Sequence, residues 1–107
     1  MEIINLNKLI QEYNNHYGFI DKAGIEKLKE DVYYQFCESG ANEDDYFCLE
    51  EIKYFKNGFN SLDKIKITLL FNFKVISKKY KYIIDEDTGE QVFDEVIEEI
   101  VEYLGFN

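Results

Sequence analysis

The clearest pattern in the chain is a strict alternation. Ile65, Ile67, Leu69, Phe71, Phe73 and Val75 alternate with Lys64, Lys66, Thr68, Leu70, Asn72 and Lys74. Successive side chains of a strand point to opposite faces, so a period of two over this stretch predicts a half-buried β-strand. Ser77, Lys78 and Lys79 read as a turn. Tyr80, Tyr82 and Ile84 then alternate with Lys81 and Ile83, which predicts a further strand. Upstream, residues 46–55 are aromatic and β-branched enough for a strand, and Asn57 followed by Gly58 is a turn signal that Asn60 and Ser61 lengthen. Short connections of this kind favour an antiparallel meander.

Elsewhere the period is helical. Leu6, Leu9, Ile10, Tyr13 and Tyr17 share one face, with Asn5 or Asn7 placed to cap the start and Gly18 to end it. This predicts a helix near residues 5–17. Asp21 caps a second helix, which keeps Ile25, Leu28, Val32 and Phe36 on its apolar face and stops at Ser39 and Gly40. A third is predicted at the C-terminal end. Thr88 and Gln91 have capping-box spacing, and Val92, Phe93, Val96, Ile97, Ile100, Val101 and Leu104 form a stripe that Gly105 terminates. The expected fold is therefore α+β in the order ααβββα. Two N-terminal helices and a C-terminal helix cover one face of a three-stranded antiparallel sheet, in one domain spanning residues 1–107.

Composition supports a packed domain: 46% of residues are hydrophobic, with nine Phe and nine Tyr, which is too apolar for disorder. Cys37 and Cys48 are the only cysteines and His16 the only histidine. Three such ligands do not complete a tetrahedral zinc site, and two buried thiols in a reducing compartment are expected. The N-terminus lacks the basic and apolar regions of a signal peptide, and no apolar run approaches the ~20 residues of a membrane helix. A cytoplasmic location is the expectation. The lack of proline and the wealth of Asn, Lys, Ile and Tyr fit an AT-rich coding sequence.

Charge changes the picture most. The chain carries a net −10 without a single arginine, and the charge is sorted. The first 51 residues hold twelve acids and four lysines; residues 52–81 hold eight lysines and one acid; residues 82–107 hold nine acids and no base. On the expected C-terminal helix, Asp94, Glu95, Glu98, Glu99 and Glu102 line the outer face with no lysine at helical spacing to pair with them. Asp85, Glu86, Asp87 and Glu90 extend this patch, and Glu43, Asp44 and Asp45 form a second one. Such patches serve solubility, or they meet a basic protein, imitating a run of phosphates and accelerating encounter.

Two further surfaces carry candidate chemistry. Lys64, Lys66 and Lys74, joined by Lys53, Lys56 and Lys81 and by Tyr80 and Tyr82, give a basic sheet with aromatics, the general design of single-strand nucleic-acid binders. The absence of arginine and the net charge weigh against it, and a solvated sheet face accounts for the same lysines. Phe59 and Phe106 are candidate anchors for a partner or a second copy, or ordinary packing residues. Asp85, Asp87 and Gly89 begin like a calcium loop, but the third ligand and distant Glu are missing. One histidine supports no Ser/His/Asp or Cys/His set, and no phosphate-cradling glycine loop occurs, so no enzyme, metal or cofactor is expected.

The functional expectation is a non-catalytic acidic inhibitor that occludes the basic nucleic-acid-binding surface of a larger protein, a nuclease or similar effector. The analogy is of class: phage proteins that block host defence nucleases, anti-CRISPR and anti-restriction proteins among them, are often small and acidic, and an immunity protein that neutralises a cognate nuclease toxin is the alternative. Direct nucleic-acid binding through the lysine and tyrosine face is the alternative from another class.

Overall fold

The computed structural model describes residues 1–56 and 64–107, so the expected turn at Asn57 and Gly58 and the anchor Phe59 lie outside the described residues. In chain order the elements are β1 (Glu2–Ile4), α1 (Leu6–Tyr17), α2 (Lys22–Ser39), β2 (Tyr46–Lys56), β3 (Lys64–Ile84) and β4 (Gln91–Phe106). They form one mixed four-stranded sheet in the order β1-β4-β3-β2, in which β1 runs parallel to β4 and the other pairs are antiparallel.

The two N-terminal helices fall where the period puts them. Asp21 caps α2 by accepting a 2.8 Å hydrogen bond from the Gly24 N–H, and Gly40 ends it in a left-handed conformation. Asn5 precedes α1, but its side chain makes no capping bond. Leu9 from α1 and Leu28, Val32 and Phe36 from α2 meet Phe47 and Leu49, Leu69, Phe71, Phe73 and Val75, and Val101 and Tyr103 in one core. Within each strand these residues are two apart, so the core lies on one sheet face. Phe47 stacks on Phe73 at 5.2 Å, and Phe73 meets Tyr103 at the same distance. Tyr103 is 1% exposed, and its hydroxyl donates to the Glu12 carboxylate on α1. Burial first, and this bond second, hold that phenol well above its ordinary pKa.

Two expected elements are corrected and one element is added. Ser77, Lys78 and Lys79 do not turn the chain; β3 continues through them for 21 residues. β1 was not expected, because three residues are too few to display a period. The largest correction is the C-terminal segment, which is strand β4 and not a helix, so the sheet is four-stranded and mixed rather than three-stranded and antiparallel.

The physical reason for β4 is on its partner. All four lysines of the second half of β3 stand opposite a glutamate: Lys74 faces Glu102, Lys78 faces Glu99, Lys79 faces Glu98 and Lys81 faces Glu95. Opposite charges across a ladder contribute about 0.2–1 kcal/mol per pair, whereas the same acids on a helix would repel one another. Register shifts lie between Asn72 and Phe73, Val75 and Ser77, Lys79 and Tyr80, and Lys81 and Tyr82. At these points Leu104, Ile76, Ile97 and Asp94 are left without a register partner. Each bulge resets the two-residue phase, so a doublet pattern of helical appearance fits a strand. Val92, Val96, Ile97, Ile100 and Val101 are β-branched, which favours the extended form. Thr88, expected to cap a helix, instead accepts from the Glu90 N–H at 3.3 Å within the β3–β4 turn.

The shape follows from β3. The molecule spans 67 × 28 × 26 Å with a radius of gyration of 18.2 Å, against ~13 Å for a compact chain of this length. No core residue comes from β3 beyond Val75 or from β4 before Val101. Past the helices, β3 and β4 go on as a two-stranded ribbon. No helix among the described residues is long and apolar enough to cross a membrane.

Nuclear Overhauser contacts between Val75 and Val101 strands, with no i,i+3 contacts over residues 94–103, are the expected NMR signature of β4. Phe73→Ala is expected to cost about 3–5 kcal/mol in denaturant unfolding, the usual range for emptying an aromatic site in a core. Tyr103→Phe is expected to cost about 1.5–3 kcal/mol, the range for a bond to a charged acceptor. Glu51 has its carboxyl pKa raised by burial and then by Asp31. A carboxyl that holds its proton more tightly when folded loses stability as pH rises through that range. Glu51→Gln should therefore raise Tm at neutral pH, and the gain should vanish below about pH 4.

Candidate functional site

The ribbon beyond the helices is the most exposed part of the described sheet. Its facing is fixed by register. Tyr80 is opposite Val96, Tyr82 opposite Phe93 and Ile84 opposite Gln91, all on one face; Lys79 with Glu98, Lys81 with Glu95 and Ile83 with Val92 take the other. The rings agree with this division. Tyr80, Tyr82 and Phe93 form a closed trio with centroids 6.5, 5.9 and 6.2 Å apart, every pair edge-to-face. Such pairs add about 0.5–1.5 kcal/mol beyond buried area.

This aromatic face continues the helix-covered face of the sheet. The Lys78 ammonium joins the two, lying 5.2 Å from the Phe36 ring of α2 and 5.7 Å from the Tyr80 ring, while donating to the Ala41 carbonyl at 2.9 Å. Glu99, opposite Lys78, is buried at 7% exposure. Burial raises the Tyr80 phenol above its ordinary pKa, and its hydrogen bond to Glu99 raises it further. Beyond Tyr80 the cover ends: Tyr82 is 48% exposed, Phe93 57%, Val96 46% and Ile84 71%. Val92, Phe93, Val96 and Ile97, expected inside a helical stripe, are therefore outside the core.

The acids named from sequence are divided among four places. Asp85, Glu86, Asp87 and Glu90 form the tip of the ribbon. There the Asp85 N–H donates to the Glu90 carbonyl at 2.9 Å, the Asp85 carboxylate accepts from the Asp87 N–H at 2.9 Å, and Gly89 takes the left-handed conformation the turn needs. Asp94 and Glu95 lie by Lys81, Glu95 opposite it on the face away from the rings. Glu98, Glu99 and Glu102 lie back along the sheet against lysines of the same molecule: Lys79 reaches Glu98 at 3.6 Å, and the Ser77 hydroxyl donates to Glu98 at 2.7 Å. Lys81 likewise reaches Asp94 at 3.6 Å. Glu43, Asp44 and Asp45 sit apart from the tip, in a loop hydrogen-bonded to Val75 on both sides of its peptide. No outer helix face presents these acids together.

The lysine surface is also divided. Lys66 is exposed, Lys74 lies 5.8 Å from the Tyr46 ring, and Lys53 donates to the His16 carbonyl while lying 5.5 Å from the Tyr17 ring. The side chains of Lys56 and Lys64 lie outside the described residues. His16 packs edge-on against Phe106 at 4.4 Å, and Phe106 also meets Phe71, so the suggested terminal anchor is held by its own molecule. Cys37 and Cys48, expected buried, are both exposed and free.

A groove of about 620 Å³ lies by Tyr46, Cys48, Asn72 and Leu104. No lining side chain carries a carboxylate, imidazole or ammonium. Among the described residues no group of His, Cys, Asp or Glu is placed to hold a metal ion. What sequence reasoning missed is Phe93 as the third ring of the ribbon. The signal was the alternation of Tyr80, Tyr82 and Ile84, whose exposed face needed an apolar partner strand. Comparison with protein-family models, with curated proteins and with solved structures returns no match.

Proposed function

We propose that this chain is a non-catalytic binding protein that works by occlusion, inserting the β3–β4 ribbon against the basic, nucleic-acid-binding surface of a larger protein. The observation that carries the reading is the charge of the ribbon past Lys81. It holds Asp85, Glu86, Asp87, Glu90, Asp94 and Glu95 and no base as far as the end of the chain, on an arm that projects from the helical layer. Of these acids, Asp94 has a lysine within ion-pair distance. Carboxylates on a narrow projecting arm can enter a cleft that admits a nucleic-acid strand, and their field favours a positively charged one. Immunity toward a nuclease toxin uses the same physics with a different partner. Glu95, Glu98, Glu99 and Glu102 stand opposite ladder lysines and Asp94 is paired with Lys81, so the partner-facing set narrows to the tip acids Asp85, Glu86, Asp87 and Glu90.

Direct binding of single-stranded nucleic acid is the second reading, favoured by the ring trio of Tyr80, Tyr82 and Phe93, since exposed aromatics stack bases. Against it, Lys79 and Lys81 are engaged by Glu98 and Asp94.

The test is a pair of affinity columns, one carrying the wild-type chain and one carrying Asp85→Lys, Glu86→Lys, Asp87→Lys and Glu90→Lys together. A partner retained by the wild type, released by salt and held at least tenfold more weakly by the variant is expected. Adding the wild-type chain should also block that partner's binding to nucleic acid. Equal retention on both columns, or a captured protein that binds nucleic acid unhindered, overturns the reading.

A further inference from the structure

We propose that the aromatic face of the ribbon is a docking site for a basic amphipathic helix of the partner protein. This rests on the reading of the ribbon as the partner-binding arm, and it specifies what that arm grips.

The face is built from Tyr80, Tyr82, Ile84, Phe93 and Val96, which register places together and which carry no charge. It is the same sheet face that α2 covers nearer the core, where Phe36 meets Phe47 at 5.8 Å and Lys78 bridges Phe36 to Tyr80. A helix is thus what this face already accommodates within the molecule. Six residues of strand run for about 20 Å, and a helix of about 13 residues has that length. A helix is also about 10 Å across, wide enough to cover two strands spaced about 4.8 Å apart.

The charge of the rim selects the sign of the incoming helix. Asp85, Glu86, Asp87 and Glu90 close the far end of the aromatic face, while Asp94 and Glu95 lie by Lys81, Glu95 on the face away from the rings. A helix with apolar residues at i, i+3, i+4 and i+7 and lysine or arginine beside them matches both the face and its border. A second copy of this chain is disfavoured by the same border, because ribbon against ribbon sets acids against acids in a molecule of net charge −10. Single-stranded nucleic acid meets the same four tip carboxylates.

The experiment uses the full chain and three designed 14-residue peptides. One is an amphipathic helix of leucine and lysine. One has glutamate in place of every lysine. One has the first peptide's composition with its apolar face scrambled. Binding is read by fluorescence anisotropy at moderate salt, with a (dT)15 oligonucleotide run beside them. The leucine–lysine helix is expected to bind at least tenfold more tightly than the scrambled peptide and to weaken as salt rises, and the glutamate peptide is expected not to bind. The double substitution Tyr82→Ser and Phe93→Ser, at two exposed positions, should reduce the helix's affinity at least tenfold with an unchanged circular dichroism spectrum. On the wild-type chain, amide shifts induced by the helix should fall on residues 80–84 and 91–97. Equal affinity for helical and scrambled peptides, or shifts centred elsewhere, overturns the inference. So does oligonucleotide binding, or a dimer in sedimentation, that the double substitution abolishes, since each assigns the face to another occupant. The column experiment is decided by the tip acids and not by Tyr82 or Phe93, so the occlusion reading and this inference fail separately.

Discussion

The pairing of β3 with β4 holds this structure together. A lysine-bearing strand lies antiparallel to a glutamate-bearing one, with Lys74, Lys78, Lys79 and Lys81 set against Glu102, Glu99, Glu98 and Glu95. The sorting of charge into a basic block and an acidic block is, over this stretch, a pairing code. Each block alone repels itself; joined as a ladder, they set opposite charges side by side in the register that also brings Val75 to Val101 and Phe73 to Tyr103. The hydrophobic core depends on this register, because a slip of one residue would turn Phe71, Phe73 and Val75 to the open face.

The code is incomplete. Past Lys81 the acids continue and the lysines stop. The helices stop earlier still, leaving an aromatic face with nothing above it. Structural need accounts for Glu98, Glu99 and Glu102, each with a basic neighbour across the ladder. It does not account for the tip carboxylates, or for the exposure of Phe93 and Ile84. An arm that has both excess charge of one sign and uncovered apolar surface is costly for a free monomer in both respects. A single partner of opposite charge would relieve both costs.

The bulges make the arm possible. Four register shifts along a single strand pair increase its twist and re-aim the side chains. They place the rings of Tyr80, Tyr82 and Phe93 on one side and the Lys79–Glu98 and Lys81–Glu95 pairs on the other. Without them the doublets of β4 would scatter apolar residues over both faces. The same irregularity that hides the strand from a reading by period gives the ribbon one clean apolar face.

By itself, the sequence determined the parts whose signals are local. The period of 3.6 in α1 and α2, the cap at Asp21 and the stop at Gly40 act within a few residues. The alternation from Ile65 to Val75 is equally self-contained. The absence of a catalytic histidine set or a zinc quartet is likewise an expectation from composition, and the acids at the ribbon tip were legible as a charged loop. The tertiary structure decided the rest. Residues 91–104 have an apolar spacing close to four, which suits a helix, and only a partner strand bearing lysines at matching positions turns it into β4. β1 is too short to exist without the Ile100, Val101 and Glu102 stretch beside it. Which acids are neutralised and which remain open, and that Phe93 joins Tyr80 and Tyr82, depend on contacts between residues far apart in the chain. Local propensity carries no information about such contacts until the strands meet.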